Sequence, residues 1–282
     1  MEKLNVSGVT LQGFAQGGWR TSIHCPEVGA IFDAGTVLPV NADRYFITHG
    51  HPDHSGALPS IVARRSIMET KKPLQVYLPA AIAPHMQAAI DAMDNLFGGR
   101  RSLNTVINPM HHGDEVLIRK GLKVKALRTY HGVPSVGWAV EQTTSKLKAE
   151  FQGLEGQEIG RLRREGTEVT DDVTGTMLVV PGDTKIDFLL REEHARKAKV
   201  LVHEVTYWDN TLSSVEGCRR YGHVHVDEMI EHCDKFEGEA LVLVHRSMKY
   251  PRSQVEQILK DRFPKAMLPK IHIFDGGDRG NL

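Results

Sequence analysis

An excess of charge of either sign is missing from the sequence: 35 lysine and arginine residues meet 35 aspartate and glutamate residues, for a formal net charge of zero. A polyanion therefore meets no global attraction, and affinity for one has to come from a local patch or a bound cation. Long apolar runs are missing too. With no stretch of about 18 apolar residues, no membrane span is expected. The opening MEKLNVSGVTLQGFAQGG has no charged head followed by a continuous apolar stretch, so it does not read as a secretory signal. Cysteine is scarce. Cys25, Cys218 and Cys233 are too few and too scattered for a disulfide framework, and none forms a CxxC pair. That fits a reducing, cytoplasmic setting. Fixed-period repeats and low-complexity tracts are absent as well.

Histidine, by contrast, is plentiful, with 15 in 282 residues. The chain is long enough to bury a core without staples. Short runs rich in Val, Ile and Leu predict strands at 28–32, 44–48, 74–78, 115–119, 122–130, 138–142, 177–180, 199–202, 240–244 and 271–274. Leu122, Val124 and Ala126 alternate with Lys123 and Lys125, which predicts a half-exposed antiparallel strand. Apolar residues at three- and four-residue spacing predict a helix from Ile82 to Phe97, and similar patterns occupy 226–236 and 254–263. Strands interleaved with helices point to one layered α/β domain over residues 1–282. The Gly- and charge-rich stretch 143–176, with basic clusters Lys146/Lys148 and Arg161/Arg163/Arg164, reads as an excursion from that domain.

The densest chemistry is Thr48-His49-Gly50-His51-Pro52-Asp53-His54, directly after a predicted strand. His49, His51, Asp53 and His54 are four potential metal ligands, and imidazole with carboxylate suits zinc, with manganese or iron also possible. His49 and His51, two apart, can point to one side, while Asp53 and His54 lie past the turn at Pro52 and address a second position nearby. Four ligands are too few for two closed metals. The remainder recur at other predicted strand ends: His131 in Tyr-His-Gly-Val-Pro-Ser, Asp183 in Pro-Gly-Asp-Thr, and His245 in His-Arg-Ser-Met-Lys-Tyr. Open α/β sheets place their sites at such carboxyl ends. Spacing alone therefore predicts a two-metal hydrolase.

The segments ITHGHPDHSGALP, RTYHGVPSVGWAV, KLKAEFQGLEGQEIGRLRREGTEVTD, PGDT, AKVLVHEVTYWD, YGHVHVDEMIEHCDKF and LVHRSMKY resemble, in order, the tRNase Z (ribonuclease Z) family of the metallo-β-lactamase superfamily, and within it the plant short form. The resemblance implies a four-layer αββα sandwich with two Zn2+ ions. It implies His49, His51 and His131 on one zinc, Asp53, His54 and His245 on the other, and Asp183 bridging both. Asp53 would also accept a proton, and Glu204 and His223 would protonate the leaving group. Ser247, Lys249 and Tyr250 occupy the place of the family's last motif and would meet phosphate. The implied activity is removal of 3′ trailers from precursor tRNA by a homodimer. Action on small or cyclic phosphodiesters is the alternative, and a silent RNA-binding homologue is disfavoured because no implied ligand is missing.

Some positions depart from the family pattern. Lys249 stands where arginine is common, keeping a positive charge but losing bidentate geometry. Gly17-Gly18-Trp19-Arg20-Thr21-Ser22 occupies the place of a longer basic loop linked to reading the tRNA 3′ end, which leaves rejection of CCA-ended tRNA open. The 143–176 excursion reads either as a reduced tRNA-gripping arm or as a solvated hairpin. His203 and His225 are expected to be structural, and His111-His112 to lie in a turn. His24, His85, His194, His232 and His272 are expected at the surface or in packing.

Overall fold

Two mixed sheets carry the chain in a computed structural model that describes residues 1–99 and 103–277. The first sheet follows chain order: β1 (Glu2–Val6), β2 (Val9–Gly17), β3 (Arg20–Cys25), β4 (Ala30–Phe32), β5 (Arg44–Phe46), β6 (Leu74–Pro79) and β7 (Thr105–Met110). Helices α1 (Pro52–Ser55), α2 (Leu58–Ile67) and α3 (Ala83–Leu96) lie between its later strands. The second sheet contains β8 (Glu115–Arg119), β9 (Leu122–Arg128), β10 (Val136–Leu147), β11 (Thr170–Val180), β12 (Val200–Glu204) and β13 (Ala240–Val244). The two-residue β14 (Arg246–Ser247) crosses over to pair with β2, and β15 (Ile271–Ile273) returns beside β13. Helices α4 (Gly156–Arg164), α5 (Asp187–Arg191), α6 (Glu193–Lys197), α7 (Val215–Tyr221), α8 (Val226–His232) and α9 (Arg252–Arg262) belong to this half. Each sheet is antiparallel on one side and parallel on the other.

Alternation along the strands explains the layering. Val200, Val202 and Val242 face an inner core shared with Leu11, Phe32 and Phe46 of the first sheet, while Leu201, Leu241 and Leu243 face an outer core with Phe188, Met229 and Val255 from helices. Buried on both faces, β13 reads as a continuous apolar run, as parallel strands do, and β12 does so until His203 and Glu204 at its end. On the opposite side, Ile47, Val76 and Leu78 pack against Ile61, Val62 and Ile90 of α2 and α3. Four layers result, in the order helix, sheet, sheet, helix. The half-exposed pattern predicted for 122–130 holds over β9, whose Lys123 reaches across to Glu115 at 2.9 Å and Glu141 at 3.0 Å.

Three segments differ from the sequence-based expectation. The first 25 residues form three strands although none was predicted there. Glycine and glutamine interrupt the apolar pattern of β2, and pairing with β1 and β3 supplies what local propensity lacks. β7 contains Pro109, a residue that argues against a central strand; it lies at the sheet edge, where a missing N–H is tolerated. The 143–176 excursion is regular. β10 and β11 continue past the sheet as a two-stranded arm pairing Glu141 with Thr176 and Leu147 with Thr170, and α4, with no buried residue, sits near its tip.

The inner core is centred on Trp138, fully buried and edge-on to Phe46 at 5.1 Å between ring centroids. Trp138→Ala should cost about 3–5 kcal/mol, read as a shift of the denaturant midpoint at unchanged slope. A shift under about 1 kcal/mol would show that the two sheets do not depend on this contact.

Candidate metal centre

The register of the second sheet brings the ends of its strands to one edge. β9 ends opposite the start of β10, Trp138 pairs with Val180 at the end of β11, and Glu204 pairs with Val244 at the ends of β12 and β13. His131, Asp183, Glu204 and His245 therefore emerge side by side. From the facing sheet, the chain leaves β5 through Thr48 and His49, a bridge from His49 to Ser135 ties the two edges, and α1 carries Asp53 and His54. β14 closes the gap by pairing with the end of β2. The backbone bends sharply to do this: Asp33 and His245 both adopt left-handed φ values near +61°. Such conformations cost about 1–3 kcal/mol each and persist only where surroundings enforce them.

All seven residues singled out as ligands meet here. Donor atoms of His49, His51, His131 and Asp183 lie within 4.8 Å of one another, and so do those of Asp53, His54 and His245. Asp183 spans the two sets, with Oδ2 at 3.6 Å from His49 Nε2 and Oδ1 at 3.3 Å from both His54 Nε2 and His245 Nε2. His223 joins Asp183 and His245 in a third grouping.

The outer nitrogens of four of these rings are tied down. His54 Nδ1 donates to Asp33 at 2.7 Å, and His131 Nδ1 donates to the Gly222 carbonyl at 3.0 Å. His49 Nδ1 lies 3.0 Å from the Thr48 hydroxyl, which itself donates to Asp33. His245 Nδ1 lies 3.0 Å from the Thr206 hydroxyl, which donates to Glu204 at 2.6 Å. In each case Nε2 is left facing the centre, the arrangement by which outward partners orient metal-ligating histidines. Two glycines make room. A side chain at Gly222 (φ +81°) would stand 2.6 Å from His131 Nδ1, and one at Gly182 (φ +68°) would stand 2.4 Å from the Thr48 hydroxyl.

These donors fit a cation better than they fit each other. His49 Nε2 approaches His51 Nδ1 at 3.0 Å, and His54 Nε2 approaches His245 Nε2 at 3.1 Å. Asp183 Oδ1, fully buried, makes no hydrogen bond of its own. Electrostatics agree. Burial opposes charge on His54, yet the Asp183 and Asp33 carboxylates hold it well above the ordinary histidine range. Burial likewise opposes ionisation of Asp53, but the bond from His245 and the charge on His54 hold it below the ordinary carboxylate range. Protons on imidazole thus balance the carboxylates, and a divalent ion can replace them. Borderline nitrogen donors with carboxylate oxygens suit zinc-like ions.

Glu204 and His223 form a second unit. Glu204 is completely buried; its Oε1 accepts the Thr184 N–H and His223 Nδ1, both at 2.9 Å, and its Oε2 accepts Thr206. Burial would lower the His223 pKa, but Glu204 outweighs it and lifts the ring to about 9. Ser247 and Lys249 follow His245 on the strap that pairs with β2, and Lys249 is exposed. Tyr250 does not reach the cleft, contrary to its expected phosphate contact: it is buried in the outer core and its hydroxyl donates to Asp209 at 3.1 Å. The β2–β3 turn borders the centre, its Gly18 N–H donating to Asp53 at 2.8 Å.

His225 caps α8, and His203 points to the outer face near Phe188, so both take structural posts. Asp33, Thr48 and Thr206 were not singled out from sequence. Asp33 had a readable signal, since it too directly follows an apolar strand.

No protein-family model matches the chain. Its sequence is 38% identical to tRNase Z TRZ1 of Arabidopsis thaliana over 263 residues, covering 91% of this chain and 92% of that protein. Its fold is similar to the metallo-β-lactamase fold protein YhfI from Bacillus subtilis, with a TM-score of 0.60 and 14% identity over 95% of this chain and 96% of the other. The human short-form tRNase Z superposes with a TM-score of 0.57 at 16% identity, covering 93% and 94%.

Asp33→Ala would leave the buried Thr48 N–H, Thr48 hydroxyl and His54 Nδ1–H without their acceptor. It should lower stability by about 3–5 kcal/mol in chemical denaturation, whereas His85→Ala, at an exposed position, should stay within about 0.5 kcal/mol. Equal effects of the two would remove Asp33 from its supporting role.

Proposed function

The chain belongs to the tRNase Z (ribonuclease Z) family of the metallo-β-lactamase fold, and on that premise we propose that it is an endoribonuclease that removes 3′ trailers from precursor tRNA. The observation that carries this reading is the convergence of five histidines and two aspartates into two donor sets with Asp183 between them. His49, His51 and His131 would hold one Zn2+, Asp53, His54 and His245 the other, and Asp183 both. Such a pair, when bound, supplies positive charge to the attacking and leaving oxygens of an in-line displacement at phosphorus.

The chain's own residues complete the chemistry. Water attacks the phosphorus at the trailer junction, and Asp53, low in pKa yet reachable from the cleft, accepts its proton. The bond from phosphorus to the tRNA O3′ breaks. His223, kept protonated by Glu204 at neutral pH, donates to that oxygen from Nε2. The products are a tRNA 3′-hydroxyl and a 5′-phosphorylated trailer. Ser247 and Lys249 would hold the phosphate flank, Lys249 as a point charge, with Tyr250 bracing the strap through Asp209.

With no net charge to draw RNA in, local cations would have to hold it, and the arm offers Arg161, Arg163 and Arg164 in the last turn of α4 and Lys146 and Lys148 on β10 and its exit, among carboxylates such as Glu158 and Asp171 that lie near Arg161 and Lys148. We read the protein as a homodimer working in the cytoplasm, one subunit holding the tRNA body with its arm. Among the described residues no helix is long and apolar enough to cross a membrane.

Mapping both product ends from a trailer-bearing precursor tRNA tests this reading. Cleavage should leave a 3′-hydroxyl at the tRNA end, and Asp53→Ala or His49→Ala should reduce it at least about 10³-fold while the circular dichroism spectrum is unchanged. Turnover of bis(p-nitrophenyl) phosphate or cyclic nucleotides with no cleavage of precursor tRNA would replace it with a small-phosphodiester hydrolase.

A further inference from the structure

We propose that Thr206 is a positioning residue that couples the leaving-group unit to the metal centre: its single hydroxyl proton, committed to Glu204, fixes which nitrogen of His245 faces the ions. The inference rests on the reading that the cluster holds metal. The geometry leaves the hydroxyl one arrangement. Glu204 Oε2, at 2.6 Å, is an acceptor, so the Thr206 proton goes to it. Toward His245 Nδ1, at 3.0 Å, the same oxygen can then only accept. His245 therefore keeps a proton on Nδ1, and Nε2, which faces Asp53, Asp183 and His54, is the nitrogen free to exchange its proton for a metal ion.

The threonine has no freedom to do otherwise. It is nearly fully buried, its N–H donates to the Val224 carbonyl at 3.2 Å, and its carbonyl accepts the Ser247 N–H at 3.0 Å. Glu204 is equally committed, its other oxygen being held by Thr184 and His223. One carboxylate thus orients both His223, through a direct bond, and His245, through the threonine. An amide at position 204 breaks the logic while leaving all seven proposed ligand side chains in place. Its NH2 can donate to the Thr206 hydroxyl, releasing that proton toward His245 Nδ1 and allowing the tautomer whose Nε2 carries hydrogen and cannot bind a metal.

Zinc affinity, measured on the purified full chain by competition with a chromophoric chelator, reads this coupling without reference to activity. Thr206→Val keeps the shape and removes the hydroxyl; Zn2+ binding at the weaker step should fall about 10–100-fold. Thr206→Ser should stay within about threefold of the parent, and Thr206→Ala, which removes the hydroxyl without a branched side chain, should show the same loss of about 10–100-fold. Glu204→Gln alone should also weaken Zn2+ binding, and adding it to Thr206→Val should cost no more than about a further threefold. Unchanged Zn2+ affinity in both hydroxyl-free variants, or losses that multiply in the double variant, would overturn the coupling. Absence of Zn2+ binding by the parent chain would instead overturn the reading on which it rests.

Discussion

The hydrogen bonds made by the outward nitrogens of His49, His54, His131 and His245 are the contacts on which the centre depends. An imidazole offers one lone pair, and the partner at Nδ1 decides where it points. Two buried carboxylates organise these partners from opposite sheets. Asp33, at the end of β4, holds His54 directly and His49 through Thr48. Glu204, at the end of β12, holds His223 directly and reaches His245 through Thr206. The two halves use the same device, a carboxylate backed by a threonine hydroxyl, and together they aim donors from two sheets at one volume.

The fold exists to bring those two edges together. Shared apolar packing between the sheets sets their separation, and short crossings, the His49 bridge and β14, set their register at the edge. Left-handed backbone at Asp33 and His245 is a cost borne at the places where a strand must stop and turn its side chain inward. Close-packed glycines at 182 and 222 allow loops to press on Thr48 and His131 from behind. None of this orients a donor by itself; it makes the outward hydrogen bonds unavoidable.

Much of the centre was legible in the sequence because metal chemistry demands residue types that are otherwise rare after apolar strands. His49, His51, Asp53 and His54 announced themselves by density, and His131, Asp183 and His245 by position at strand ends. Supporting residues were not legible in the same way. Thr48 and Thr206 are ordinary in composition, and their role comes from contacts between segments distant in the chain. Tyr250 shows the reverse failure: its motif suggested the cleft, but the strap turns it into the core. The first three strands were missed because their pairing, not their propensity, makes them strands. The strands of the arm were not predicted because its residues are polar on both faces, a pattern that carries no burial signal, although its reading as an excursion from the domain agrees with the pairing of β10 and β11.

Neutral overall charge acquires a specific meaning from this arrangement. The cleft itself is built from carboxylates and imidazoles, and on the proposed reading cations held there would turn it into a place where a phosphodiester can rest. The most direct measurement of that claim is an anomalous difference map from crystals of the zinc-loaded protein. Two peaks about 3.5–4 Å apart, one among His49, His51 and His131 and one among Asp53, His54 and His245, with Asp183 between them, are expected. A single peak, or density at any other set of residues, would contradict the account.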